Sequence, residues 1–424
     1  MVLNVGLLGV GTVGAATAAI LLDPQQRQPL LKDITIKQAG ARSLNKDRGL
    51  SLPLTDDLEA IVSDPEVQIV VEVIGGLEPA RSLILKAIAH KKHIVTANKA
   101  VIARYGDEIF AAAREAGVYV AIEAAVGGGI PIIRPLQQAL SVNRLKRLLG
   151  IVNGTTNYIL TQMAQAGADF DDVLAEAQRL GYAEADPTAD IEGYDAADKI
   201  AILAALAYGG RIDLAKVHRE GITQVSAADI RYADRLGFEI KLLAIAARAD
   251  VGLQVRVHPT LVPRSHPLAS VNGVNNAIFV EGDPLGEVMF FGPGAGGGAT
   301  ASAVVSDILN IAAQLQMGKT DAPNPLALVS GGELQAIAPM ADLVTRFYAR
   351  LICADRPGVI GYLGTCFGKH DVSLESVVQI DFRDGRAEIV VVTHDVREGN
   401  FRQALAEILA DGSEILIPSV LRVL

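Results

Sequence analysis

Near-continuous aliphatic runs alternate with alanine-rich stretches along the first third of the chain. Residues 3–8 read as a buried strand, followed by a glycine-rich turn and a helix over about 13–22. Strands are predicted over 34–38, 68–74, 93–96 and 118–121, with helical stretches at 57–62, 79–90 and about 105–115. Such runs suit strands covered on both faces, and their alternation with helices gives a parallel, doubly wound α/β sheet. The pattern changes at Pro131. A strand over 145–152, helices over 157–166, 170–180 and 196–207, and strands over 253–261 and 276–281 then read as a second, α+β domain. A glycine-rich turn at 292–298 leads into a helix reaching about 316, which is expected to pack back on the first domain. Residues 319–342 carry Pro323, Pro325, Gly331, Gly332 and Pro339 and read as a linker. The rest follows strand–helix–strand–strand–helix–strand order, with strands at 347–354, 373–380, 387–393 and 414–420 and the later helix at 399–410. That order is ferredoxin-like.

Composition narrows the chemistry. Half of the 424 residues are apolar, aromatics make up 4% and tryptophan is absent, so Ala, Val, Leu and Ile must fill the cores. A net charge of −10 argues against non-specific binding to nucleic acid or to anionic membranes, which both need a dense cationic face. It still permits an anionic small ligand in a local cationic pocket. Cys353 and Cys366 show no metal-ligand spacing and read as reduced core residues. The first basic residue is Arg27, no export signal is evident, and the apolar run at 200–208 is too short to span a bilayer. A cytoplasmic protein is expected.

Gly9-Val10-Gly11-Thr12-Val13-Gly14 follows the first strand directly. The first glycine permits a tight turn, the second lets backbone approach a pyrophosphate, and the third lets helix and strand pack closely. Gly9, Gly11, Thr12, Val13 and Gly14 are therefore candidate cofactor contacts. An NAD site usually carries an acid after the second strand. Here Gln38-Ala39-Gly40-Ala41-Arg42-Ser43 puts Arg42 near that place, with Lys46 beyond. A guanidinium can pair with a 2′-phosphate, which favours NADP and leaves NAD possible.

Two further segments carry ionisable groups. Thr96-Ala97-Asn98-Lys99 follows a strand, at the carboxyl edge where such sheets hold ligands, so Thr96 and Lys99 are candidates there. Lys99 could also be an ordinary surface charge. Between Gly181 and Lys199 lie Glu184, Asp186, Asp190, Glu192, Asp195 and Asp198. Asp195 and Lys199 are four apart at a helix start, so they share one face, and the helix turns apolar from Ile200. A partly desolvated lysine suits proton transfer, and the acids suit an ammonium-bearing substrate. An exposed acidic lead-in with a simple ion pair is the alternative.

The stretch 177–199, with Gly181-Tyr182-Ala183, Asp186-Pro187, Asp190, Gly193 and Asp195-x-x-x-Lys199, resembles the homoserine dehydrogenase signature. The likeness extends through Thr96–Lys99, the segment 123–131 and the segment 150–157, covering essentially residues 1–320. It implies NAD(P)-dependent interconversion of L-homoserine and L-aspartate 4-semialdehyde, with Lys199 as proton donor and Lys99 as assistant or alternative. It further implies Glu184, Asp190 and Asp195 as substrate contacts, and Gly181 and Gly296 as backbone near the cofactor. Glu123, Val126, Gly128 and Ile130 match positions that bind a monovalent cation in the family, sodium by precedent and largely through carbonyls. Asp355-Arg356-Pro357-Gly358-Val359 and the segment 370–376 resemble an ACT domain, for which L-threonine is the natural effector. The resulting organisation is a dinucleotide-binding domain at 1–134, a catalytic and dimerisation domain at 135–318, the linker, and an ACT domain at 343–424. A homodimer or homotetramer follows by family precedent. Another amino-acid dehydrogenase, or a non-catalytic protein sensing NADP and an amino acid, are the competing readings.

Overall fold

The aliphatic run Leu3–Leu8 forms strand β1, and α1 (Thr12–Leu22) follows it after three residues. The computed structural model describes residues 2–47, 49–318, 332–383, 385–410 and 415–424. The chain divides into two units: Met1–Leu148 with Asp198–Ala215 and Asn276–Gln335, and Leu149–Ala197 with Lys216–Asn275 and Ala336–Leu424.

In the first unit β1 is followed by β2 (Ile34–Gly40), β3 (Leu54–Thr55), β4 (Ile69–Glu72), β5 (His93–Thr96) and β6 (Val120–Ala121). Helices α2 (Leu58–Ser63), α3 (Ala80–Ala89), α4 (Lys99–Ala116) and α5 (Ile133–Gln137) complete the N-terminal run. All strand pairings are parallel and the order is β3-β2-β1-β4-β5-β6, the doubly wound arrangement of dinucleotide-binding sheets. The order reverses beside β1, so the crevice beyond its carboxyl end is where a ligand belongs. Helix α4 starts at Lys99, earlier than the predicted 105, because Asn98 caps it by accepting the Val101 N–H.

Strand β7 (Arg144–Ile151) runs from the first unit into the second, where α6 (Gly154–Ala166), α7 (Phe170–Leu180) and α8 (Thr188–Ile191) follow. Helix α9 (Tyr194–Tyr208) begins in the second unit and ends in the first. The second unit continues with β8 (His218–Arg219), α10 (Ala227–Arg235), β9 (Phe238–Arg248) and β10 (Leu253–Pro263). Strands β11 (Asn275–Asp283) and β12 (Gly286–Pro293) lead to α11 (Gly297–Gln316). Helix α11 packs against β1 and α1. Its Val304, Ile308 and Ile311 share one apolar cluster with Leu3, Val5 and Leu7 of β1 and with Ala18 and Leu21 of α1.

The C-terminal elements are β13 (Val344–Ala354), α12 (Val359–Lys369), β14 (Leu374–Arg383), β15 (Arg386–Thr393), β16 (Val396–Arg397), α13 (Glu398–Ala410) and β17 (Leu416–Val423). Their order β17-β13-β15-β14 is the ferredoxin-like one expected. Phe347, Phe367 and Phe401 stack at its centre, with ring centroids 4.4 and 6.1 Å apart. Cys353 and Cys366 are buried free thiols, matching their reading as reduced core residues. Strand β17 also pairs in parallel with β10, through Thr260↔Arg422 and Leu261↔Val423.

Most of the predicted linker, including Pro323, Pro325 and Gly331, lies outside the described residues. Its described end is pinned by backbone. Leu253 donates to the Ala336 carbonyl and Ala338 to that of Leu253. Among the described residues no helix is long and apolar enough to cross a membrane.

Candidate active site

Two glycines of the fingerprint are demanded by packing and one is not. A Cβ on Gly14 would sit 2.0 Å from the Gly9 carbonyl oxygen, and Gly9 itself has φ +106°. A Cβ on Gly11 would meet nothing within 4 Å among the described residues. Gly11 caps α1, so the open space lies over a helix N-terminus, whose free N–H groups suit a phosphate. The chain therefore keeps a clear backbone face where a pyrophosphate would lie, and this cradle fits a dinucleotide. Thr12 is exposed beside it, while Val13 packs against the core cluster. Gly296 (φ +111°) caps α11, and a Cβ on the next residue, Gly297, would press on Thr12 at 3.0 Å. These residues belong together. Arg42 is exposed two residues beyond the end of β2, where the Gly9 N–H donates to the Gly40 carbonyl at 3.2 Å.

At the carboxyl ends of β4 and β5 lies a residue that sequence reasoning passed over. Glu72 is fully buried; its carboxylate accepts the Thr96 hydroxyl at 2.6 Å and the N–H groups of Ile74 and Gly75 at 3.0 and 3.3 Å. Asn98 donates to the Gly76 carbonyl at 2.7 Å. Buried Thr96 thus spends its hydroxyl on Glu72 and braces the turn carrying Lys99. The available signal was an acid ending an otherwise aliphatic strand. Lys99 opens α4, and Arg104 one turn on pairs with Asp198 of α9 at 2.9 Å. Lys199 follows Asp198 and is nearly buried.

In the second unit the substrate candidates converge on α6. Asn153 caps that helix with its side-chain oxygen, and its Nδ2 donates to Asp190 at 2.6 Å and to Asp195 at 2.9 Å. Thr155 donates to the Tyr182 carbonyl at 2.8 Å, fixing the turn after Gly181, which ends α7 at φ +78°. Asp195 is buried at the start of α9 and lies one helical turn before Lys199. Glu184 is exposed, and its carbonyl rather than its carboxylate is held, by Gln178.

Glu123 proves to be an internal backbone cap. Its carboxylate accepts the N–H groups of Ile132, Ile133 and Arg134 at 2.6 to 2.9 Å. Its own N–H donates to Asp307, which also pairs with Arg134 at 2.8 Å. Burial pushes the Asp307 carboxyl up to about 6 despite the Arg134 guanidinium. Among the described residues no group of three or more His, Cys, Asp or Glu side chains is arranged to hold a metal. A cation near Val126, Gly128 and Ile130 would therefore lean on carbonyl oxygens. The turn there is tight: a Cβ on Gly128 would lie 2.4 Å from the Gly294 oxygen.

A doubly wound parallel sheet with a clear phosphate cradle at the first strand–helix turn defines a dinucleotide-binding protein. Comparison with known proteins makes this particular. Residues 9–123 match the homoserine dehydrogenase NAD binding domain, 131–309 the homoserine dehydrogenase family and 347–412 the ACT domain. A homoserine dehydrogenase of Synechocystis sp. is 63% identical, with both chains covered in full. A crystal structure of a homoserine dehydrogenase from Thiobacillus denitrificans superposes with a TM-score of 0.93 at 43% identity, covering 100% of this chain and 98% of the other. A hyperthermophilic archaeal homoserine dehydrogenase in complex with NADPH superposes with a TM-score of 0.63 at 30% identity, covering 74% and 98%. The chain belongs to the homoserine dehydrogenase family and is an NAD(P)-dependent oxidoreductase.

Proposed function

We propose that the chain reduces L-aspartate 4-semialdehyde to L-homoserine with NADPH as the preferred cofactor, and that L-threonine restrains it through the ACT domain. The observation that carries the substrate site is the meeting of Asp190 and Asp195 on one amide, with Lys199 one turn further along α9. When bound, the nicotinamide supplies the hydride. Asp190, Asp195 and Glu184 accept hydrogen bonds from the substrate ammonium, which orients the aldehyde. Lys199 donates the proton to the oxygen as it gains charge, and Lys99, at the start of α4, assists or substitutes. Gly9, Gly11, Thr12, Val13 and Gly14 receive the pyrophosphate, with Thr96, Gly181 and Gly296 near the cofactor. Arg42 pairs with the 2′-phosphate of NADP, in line with the NADPH-bound archaeal relative.

Carbonyls of Glu123, Val126, Gly128 and Ile130 would hold a sodium ion in a structural role, the Glu123 carboxylate being otherwise engaged. The working form is a cytoplasmic homodimer or homotetramer. The deciding assay follows NADPH oxidation with aspartate semialdehyde. Lys199→Ala is expected to lower kcat by about 100- to 10,000-fold, as for loss of a general acid, while NADPH binding stays. Undiminished turnover would remove Lys199 from its role; absence of turnover in the wild type would defeat the reading. Threonine titration of the intact chain checks regulation, and an unchanged rate at saturating threonine would dismiss that effector.

A further inference from the structure

We propose that Asn153 is a positioning residue for the reaction, its amide holding the carboxylates of Asp190 and Asp195 in the orientation that receives the substrate ammonium. The inference rests on the substrate-site reading above and adds a residue to it. The two ends of this side chain do separate jobs. Its oxygen accepts the Thr156 N–H and hydroxyl, both at 2.9 Å, which satisfies the α6 cap. An N–H can only donate and an ionised carboxylate only accepts, so this network fixes which way the amide points. The nitrogen must face the acids. It donates to Asp190 Oδ1 at 2.6 Å and Asp195 Oδ2 at 2.9 Å, and the residue is 6% exposed.

Capping α6 needs only the oxygen, and Ser or Asp would serve the helix as well. What they lack is an amide able to give one hydrogen to each carboxylate. Asp190 sits in α8 and Asp195 in α9, with Gly193 (φ +77°) in the turn between them. Two like charges converging on one point repel each other, and a shared donor offsets this while holding both oxygens in place. The acids are then set before the substrate arrives, which lowers the ordering cost of binding it.

Asn153→Asp is the sharpest test: it is close to isosteric and keeps a capping oxygen, but replaces both donors with a third carboxylate. Asn153→Ser is the second variant, since it keeps the cap and removes the amide. Both should lower kcat/KM for L-homoserine about 10- to 100-fold, the size expected for losing charge-assisted hydrogen bonds. The Kd for NADP+ should stay within about twofold, because the cofactor does not depend on this contact. In the Asp variant the acid limb of kcat/KM should also move to higher pH, since a third carboxylate facing Asp190 and Asp195 raises their proton affinity. A merely structural residue would not shift that limb. Combining Asn153→Asp with Asp190→Asn should be non-additive.

Asp190→Asn and Asp195→Asn serve as controls on the substrate site. If they impair homoserine turnover while both Asn153 variants keep wild-type constants, the positioning role is overturned and the substrate site stands. If the two Asp variants are themselves silent, the substrate-site reading fails and the inference goes with it. Unfolded circular dichroism spectra for both Asn153 variants would also overturn the proposal, leaving Asn153 as a structural cap.

Discussion

His93 shows how one side chain ties pH to stability in the cofactor-binding sheet. It is nearly buried in β5, and its Nδ1 accepts the Tyr119 N–H at 3.0 Å, which joins β5 to the entry of β6. Burial pushes the imidazole down to about 4 from its ordinary 6.5. The folded state therefore keeps the ring neutral while the unfolded chain takes up a proton as pH falls below 6.5. Stability from this residue is whole above that value and is lost as pH drops toward 4. Between pH 7.5 and 4.5 the loss should be about 2–3 kcal/mol. His93→Asn keeps an acceptor without a titrating ring, so its urea midpoint should fall less over that interval than the wild type's. Equal pH dependence in the two proteins would contradict this account. At this scale the sequence showed less than the structure. Lys199 and Asp195 stood out through spacing, whereas Glu72, Asn153 and the capping task of Glu123 depend on partners distant in the chain.

The glycine fingerprint makes opposite predictions for two residues of one turn. Gly14 packs on the turn that follows β1, and a Cβ at 2.0 Å from the Gly9 backbone oxygen has no flexible neighbour to displace. Gly14→Ala should cost about 3 kcal/mol or more, at the upper end of overpacking penalties, and lower the urea midpoint. Gly11 faces open space with φ −81° and ψ −157°, angles that alanine tolerates. Gly11→Ala should leave the midpoint nearly unchanged but raise the Kd for NADPH about 10-fold or more, since the methyl stands where the phosphate approaches. A midpoint drop in Gly11→Ala with unchanged cofactor binding would reverse the assignment. Elements of this kind were legible because a strand, a Gly-rich turn and a helix follow each other locally. Strand β9 was not: Phe238–Arg248 is a mostly apolar, alanine-containing run that periodicity cannot assign to helix or strand. Its antiparallel pairing with β10 along all eleven residues decides the matter.

The sequence reads as domains in series with the ACT segment last, and the structure adds pairings that tie this segment to earlier residues of the second unit. That unit gathers Leu149–Ala197, Lys216–Asn275 and Ala336–Leu424, so the C-terminal module shares a body with catalytic-family residues. Such long-range pairing leaves no local mark, which is why it could not be read in advance. Beyond the β10–β17 pairing, Arg422 is 2% exposed and bonds Glu220 at 2.9 and 3.0 Å and Glu398 at 2.8 Å. Burial alone would raise the Glu220 carboxyl, but His218 and Arg422 hold it well below the usual carboxylate range. Glu220 neighbours Gly221 and Ile222, and the Ile222 N–H bonds the Ile191 carbonyl at 2.8 Å, between Asp190 and Asp195 in the chain. Arg422→Met would leave buried Glu398 and half-buried Glu220 with only the more exposed Arg402 between them, at a cost of about 3 kcal/mol. A chain ending at Gly318 would do worse, since it also strips β10 of its β17 neighbour. We therefore expect that truncation to aggregate on size-exclusion chromatography instead of yielding an unregulated enzyme. Threonine response must then be dissected with point variants in the full-length chain. A truncated protein that is soluble and retains wild-type kcat and thermal midpoint would show that the module is separable after all.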